Sequence, residues 1–464
     1  MDTDTYDVLE RAARAAADFL RALPERHVGF REDASAVAAR LRGPLPDAPE
    51  DAWTVVERLA RDVDLGLVAS AGPRYFGFVI GGALPAAVAA DWLTAAWDQN
   101  AAVHSLSPAA AAAEQVAGEW MLELLGLPAE ASTGLPTGAG LGNAVGLAAG
   151  RHTVLARAGW DVEAAGLYAA PEMEVLIGDD AHATVLTALQ YLGLGRDRAT
   201  RIPVDDQGAM LAGPFAEAVR AATERPLLIC AQAGNVNSGA FDPLDAIADA
   251  VAPHPNAWLH VDGAFGLWAA TVPSLRHLLA GVERADSWST DAHKWLNVGY
   301  DCGFVAVRDV AAQRAAMSVT APYLLPGGGN REPWEYVLDS SRRARGFALY
   351  ATLRSLGRDG VQDLVERCCR LARRMADALR EAEGVRILND VVLNQVLVRF
   401  GDDDALTRDV IARVQAEGTA WMGGTVWQGR AAMRISVSNW STTETDIDRT
   451  ADAIIRALRA TAAR

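Results

Sequence analysis

A chain of 464 residues, half of them apolar and 22% charged, is long enough for one or two large domains with a substantial core. Its 43 basic and 59 acidic side chains leave a net charge of −16, which disfavours non-specific binding to nucleic acid or to an anionic membrane surface. Four cysteines, two of them the adjacent Cys368 and Cys369, form no disulfide framework and no C-x-x-C metal spacing, and point to a reducing, cytoplasmic compartment.

The first residues, Met1-Asp-Thr-Asp-Thr-Tyr-Asp, are acidic where a signal peptide would be basic and then apolar. Residues 1–71 read as a peripheral helical arm punctuated by the turn Gly43-Pro-Leu-Pro-Asp-Ala-Pro. The most apolar stretch, Gly77 to Ala90, is too short to span a bilayer and contains Pro85. From 72 to 330 short apolar runs alternate with helical patterns: Glu174-Val-Leu-Ile-Gly, Pro226-Leu-Leu-Ile-Cys-Ala, Trp258-Leu-His-Val and Cys302-Gly-Phe-Val-Ala-Val. That alternation predicts a mostly parallel sheet covered by helices. Within it, Gly134-Leu-Pro-Thr-Gly-Ala-Gly-Leu-Gly-Asn departs from a dinucleotide loop, because Asn143 takes the third glycine's place and no clear strand precedes it. Its small residues, Ala139 and Gly140 among them, still open a helix whose free N–H groups suit a phosphate. After Pro333 a long arginine-bearing helix leads into residues 331–464, a smaller α+β domain with strands over 391–400 and 432–437 and helices near 404–417 and 443–460.

Ligands of an open α/β sheet collect beyond the carboxyl ends of its strands. His182 follows the Glu174 run, Asn237 follows the Pro226 run, Asp262 ends the Trp258 run, and Lys294 follows a strand-like run near Ser287. Four strand ends each supplying a polar residue make a site. Lys294 is also the only lysine; the remaining basic residues are arginine. Arginine stays protonated, whereas a lysine amine can lose its proton and form a Schiff base. Asp262, at the edge of a buried strand, needs a cationic or hydrogen-bonding partner. A pyridinium nitrogen is one, and pyridoxal phosphate requires both an imine-forming lysine and a carboxylate at its ring nitrogen.

His260-Val-Asp-Gly-Ala and Asp291-Ala-His-Lys-Trp resemble the signature of the group II pyridoxal-phosphate-dependent amino acid decarboxylases, relatives of aromatic amino acid and glutamate decarboxylases. The segments beginning Arg74-Tyr-Phe-Gly-Phe, Ser107-Pro-Ala, Asp180-Ala-His, Ser341-Arg-Arg-Ala-Arg and Met433-Arg-Ile-Ser resemble family segments in the family's order. The resemblance covers the chain from about Arg74 to its end. It implies an α/β architecture of pyridoxal-phosphate fold type I, aspartate aminotransferase-like, with a large mostly parallel-sheet domain, a smaller C-terminal α+β domain and the helical arm packed on the partner in a homodimer. The implied reaction is decarboxylation of an L-amino acid to amine and carbon dioxide, with pyridoxal 5'-phosphate attached to Lys294 and no metal, nucleic acid or membrane involved.

The resemblance also gives residue roles. Asp262 faces the ring nitrogen, His182 and Ala264 lie on opposite ring faces, and His293 meets phosphate or the substrate carboxylate. Ala139 and Gly140 hold the phosphate through backbone amides, since they lack the hydroxyl groups common in the family. Asp291 stands where aromatic decarboxylases commonly have asparagine, so that phosphate contact does not carry over. Asn237 reads both as a cofactor contact and as a turn residue, and Arg434 both as a carboxylate ligand and as an ordinary surface arginine. Relatives use a tyrosine on a mobile loop as proton donor. Here Tyr323 and Tyr336 flank Pro326-Gly-Gly-Gly-Asn; the in-register position falls on Pro333, and Tyr336, close to it, is the catalytic candidate. Loss of that tyrosine diverts such reactions toward oxygen, which makes an oxidative aldehyde synthase the alternative; an aminotransferase or C–S lyase would share the fold and Lys294.

Overall fold

The computed structural model describes residues 6–318 and 330–462. Seven strands form one sheet: β1 (Ser132–Gly134), β2 (Glu174–Gly178), β3 (Thr200–Ile202), β4 (Leu227–Gln232), β5 (Ala257–Asp262), β6 (Ser287–Asp291) and β7 (Gly303–Val307), in the order β1-β7-β6-β5-β4-β2-β3. β2 to β6 run parallel, and β7 is antiparallel to both its neighbours. The apolar runs of the sequence are these strands because helices cover both faces: β4 is buried throughout, and β5 everywhere but its first residue. β1 does precede the glycine-rich loop, contrary to the sequence reading. Its three residues are too few to show a periodicity.

Helices α1 (Asp7–Ala22), α2 (Ala34–Leu41) and α3 (Ala52–Val63) form the arm, and none of them buries a residue within the chain. α4 (Pro85–Trp97) and α5 (Pro108–Leu125) each open on proline, whose missing N–H costs nothing in a first turn, and Ser107 caps α5 by accepting from Ala110 N–H at 3.2 Å. α6 (Ala139–Arg157) lies on the large sheet, with thirteen of its side chains or glycines buried.

A second, antiparallel sheet holds β8 (Val385–Ile387), β9 (Gln395–Phe400), β10 (Gly423–Trp427) and β11 (Arg430–Ser436) in the order β10-β11-β9-β8. The run beginning at Val391 was read as strand from its first residue, but Val391 has φ of 50° and pairing starts at Gln395. The segment Arg74–Leu84 laces the two sheets together. Phe76 N–H donates to Trp421 at 2.8 Å, Ser436 N–H donates to Phe76 at 2.9 Å, and Leu84 N–H donates to Asn297 at 2.8 Å. Gly81 is glycine for a steric reason: a β-carbon there would lie 1.8 Å from the Lys294 carbonyl oxygen. Among the described residues no helix is long and apolar enough to cross a membrane.

Candidate active site

Parallel pairing sets the site. Asp262 is the last residue of β5, in register with Gln232 on β4 and Ser289 on β6. Its carboxylate is 3% exposed and accepts Asn143 Nδ2–H at 2.9 Å and Ala264 N–H at 3.1 Å. β6 ends at Asp291, and a turn then carries His293 and Lys294. Lys294 Nζ lies 3.1 Å from Asp291 Oδ2, with the lysine side chain 17% exposed. Asp291 Oδ1 accepts the first amide of α6, Ala139 N–H, at 2.6 Å, and lies 3.4 Å from His293 Nε2. Trp268 Nε1–H donates to the Asp291 carbonyl at 3.3 Å, and Asp291 N–H donates to Ala264 at 2.9 Å.

His182 caps the helix Ala183–Tyr191 beyond β2, its Nδ1 3.3 Å from Thr184 N and 2.8 Å from Thr184 Oγ1. Burial holds its imidazole below the ordinary value of 6.5. The charges of Asp262, Lys294, Arg434 and Asp291 all bear on that ring, so it sits among them. Burial likewise pushes His293 down, with Asp291 pulling the other way. Its Nδ1 accepts Cys302 N–H at 3.2 Å. Both imidazoles are therefore neutral at pH 7, with Nδ1 turned to a backbone amide. A β-carbon on Gly138, the residue before α6, would come within 3.2 Å of His293 and 3.3 Å of Asp291, and Gly140 stands equally close to Thr184, at 3.3 Å.

Lys294, His293, Asp262, Ala264, His182, Ala139 and Gly140 are thus gathered around one set of strand ends. Arg434, on β11, joins them electrostatically: burial lowers its guanidinium value and Tyr75 raises it, while among the described residues no carboxylate lies within ion-pair distance. Asn237 has its N–H on Asn235 Oδ1 at 2.8 Å and its amide oxygen taken by Thr425 Oγ1 on β10 at 3.0 Å. Tyr336 also has other company: its ring lies beneath the Arg331 guanidinium at 4.2 Å and its carbonyl accepts Gln313 Nε2–H at 2.8 Å. Tyr323 lies outside the described residues. The sequence reading missed Asn143, Thr184 and Tyr300, whose ring centre is 4.4 Å from that of His293. It missed Tyr75 and Trp421 as well, stacked 5.0 Å apart with 9° between their planes.

An amine, a buried carboxylate and a helix-opening amide flanked by glycine match the aldehyde, ring nitrogen and phosphate of pyridoxal phosphate. The Gly138 cradle, which a β-carbon would fill, fits the phosphate end, although Asp291 already takes the first α6 amide there.

The model for the pyridoxal-dependent decarboxylase conserved domain matches residues 37–400. Tryptophan decarboxylase 1 of Oryza sativa subsp. japonica is 28% identical over 475 residues, covering 94% of this chain and 90% of that protein. L-2,4-diaminobutyrate decarboxylase of Rhizobium meliloti is 30% identical over 381 residues, covering 79% of this chain and 74% of its own length. Among solved structures, Oryza sativa TDC with PLP and tryptamine superposes with a TM-score of 0.92 at 25% identity over 99% of this chain and 98% of that one.

Proposed function

This chain belongs to the pyridoxal-dependent decarboxylase family and is a pyridoxal-phosphate-dependent amino acid decarboxylase, and from that premise we propose how its residues divide the work. The carrying observation is the sole lysine of the chain, paired with Asp291 one strand away from the buried Asp262. When bound, pyridoxal phosphate supplies an aldehyde for an amine and a ring that withdraws electrons from the bond breaking at Cα. Lys294 would hold that aldehyde through Nζ. Asp262, held by Asn143 and Ala264, takes the ring N–H. His182 and Ala264 flank the ring. Ala139, Gly140 and His293 would meet the phosphate, and Asn237 would contact the cofactor. Arg434 would hold the substrate carboxylate, and His182, a neutral imidazole, would be placed to take a proton from solvent and pass that proton on toward Cα.

Tyr75, Trp421 and Tyr300 favour a flat aromatic side chain on the L-amino acid. The Oryza sativa relative named for tryptophan agrees with that choice. We also read the molecule as a cytoplasmic homodimer, with arm 1–71, large domain 72–330 and small domain 331–464. The aldehyde-forming alternative stays in view because Pro333 stands at the in-register position and the Tyr336 ring is engaged by Arg331.

Borohydride reduction with pyridoxal phosphate followed by peptide mapping should modify Lys294 and nothing in Lys294→Arg. A panel of aromatic, acidic and diamino acids then separates the reactions. Amine and carbon dioxide alone support decarboxylation; peroxide and ammonia beside carbon dioxide, with an aldehyde in place of the amine, support the aldehyde synthase; a keto acid or sulfide would replace both readings. An acidic or diamino acid turned over in preference to every aromatic one would sink the aromatic assignment.

A further inference from the structure

One buried polar chain ends on Asp262. Trp258 Nε1–H donates to Ser287 Oγ at 2.9 Å, and Ser287 Oγ lies 2.8 Å from His260 Nδ1. His260 Nε2 lies 2.9 Å from Asn143 Oδ1, and Asn143 Nδ2–H donates to Asp262 Oδ2 at 2.9 Å. Ser289 Oγ–H donates to the same Asn143 oxygen. Every member is buried.

The direction of each bond is forced from both ends. An indole nitrogen only donates and a carboxylate only accepts. Ser287 therefore accepts from Trp258 and turns its own proton to His260 Nδ1. The imidazole proton is left on Nε2, where it meets Asn143 Oδ1, and the asparagine must present its NH₂ to Asp262. Burial pushes His260 down to about 3, so the ring stays neutral and keeps this one tautomer across the working pH range.

The chain is assembled from three elements. Trp258, His260 and Asp262 alternate along β5 and so share one face, Ser287 and Ser289 stand on β6, and Asn143 projects from α6. A network with every polar group satisfied is not the cheapest way to fill a core, since well-packed apolar residues of the same shape do as well or better. Its one outlet is a carboxylate at the site.

We propose that Asn143, oriented by His260 and Ser287, is a positioning residue that fixes the Asp262 carboxylate in the orientation in which it takes the cofactor's ring N–H. This deepens the role given to Asp262 above and rests on it. The variants are Asn143→Ala, Ser287→Ala, His260→Leu and His260→Gln, the last keeping an acceptor and a donor at the two ends of the side chain. For each, three things are measured: the dissociation constant for pyridoxal phosphate by fluorescence titration, the pH dependence of the bound cofactor's visible absorption, and kcat against KM.

Asn143→Ala should weaken cofactor binding about tenfold, the worth of one hydrogen bond to a charged group. It should also shift the absorption profile along the pH axis and lower kcat with little change in KM. His260→Leu and Ser287→Ala should move the same readouts in the same direction, and His260→Gln should restore them toward wild type. Thermal melting of the cofactor-free proteins reports any purely structural effect. Variants that melt lower yet keep the wild-type dissociation constant and absorption profile would overturn the proposal. A wild-type protein that takes up no pyridoxal phosphate would instead remove the role of Asp262, and this inference with it.

Discussion

Asp291 holds three groups at once: Ala139 N–H at 2.6 Å, Lys294 Nζ at 3.1 Å and His293 Nε2 at 3.4 Å. A phosphate brought to the same helix end would compete with this carboxylate for the amide, and the two anions would repel. Asp291→Asn is therefore expected to bind pyridoxal phosphate about tenfold more tightly and to leave pyridoxal, which lacks the phosphate, unchanged. Fluorescence titration with both compounds checks this, and equal effects on the two would show that Asp291 acts elsewhere. Lys294 and Asp262 were legible in the sequence because scarcity and strand position single them out. Asn143 was not, since it shows only as the residue that spoils a glycine pattern. Its importance lies in what stands opposite it across α6, β5 and β6, which no local window contains. Tyr336 illustrates the converse: its nearness in sequence to a family position gave no hint that its ring lies beneath the Arg331 guanidinium.

Gly138, just before α6, and Gly142, Gly146 and Gly150 within it recur at every fourth place and so form one face. Each meets a side chain from the sheet or the loop beyond it. β-carbons would fall 2.5 Å from His260 Nδ1 at Gly146, 2.6 Å from Trp258 at Gly150, and 3.0 Å from Ser289 at Gly142. The helix thereby comes close enough for Asn143 to reach Asp262. Gly146→Ala gains helix propensity, about 1 kcal/mol, but must displace a buried ring, so it should lower the melting temperature and weaken cofactor binding together. Gly213→Ala, with open space at its β-carbon, is the control and should be neutral or slightly stabilising. A Gly146→Ala protein as stable as wild type, binding the cofactor equally well, would refute the close-approach argument. Parallel strands were legible because burial on both faces leaves continuous apolar runs. β1 and the true start of β9 were not, because three residues carry no period and a left-handed Val391 leaves no mark in composition.

Across the whole molecule apolar surface is unevenly distributed. Leu9, Leu41, Val55 and Leu59 on the arm, and Trp92, Leu93 and Trp97 on α4, are exposed, while the two sheets bury nearly all of theirs. A partner covering those residues is the simplest use for them. Sedimentation equilibrium should give a dimer for the wild type and a monomer for Trp92→Glu combined with Leu93→Glu; a dimer that survives both charges would place the interface elsewhere. The alternation of strand and helix was enough to announce the large sheet, but sequence carries no sign that Arg74–Leu84 threads between both sheets and rests on the lysine turn. The arginine-for-lysine exchange over the rest of the chain leaves one side-chain amine in 464 residues. Acylating reagents and reactive sugars consequently find a single ε-amino address, so the fraction of chains carrying an ε-amino adduct and the fraction of turnover lost through such adducts should rise together.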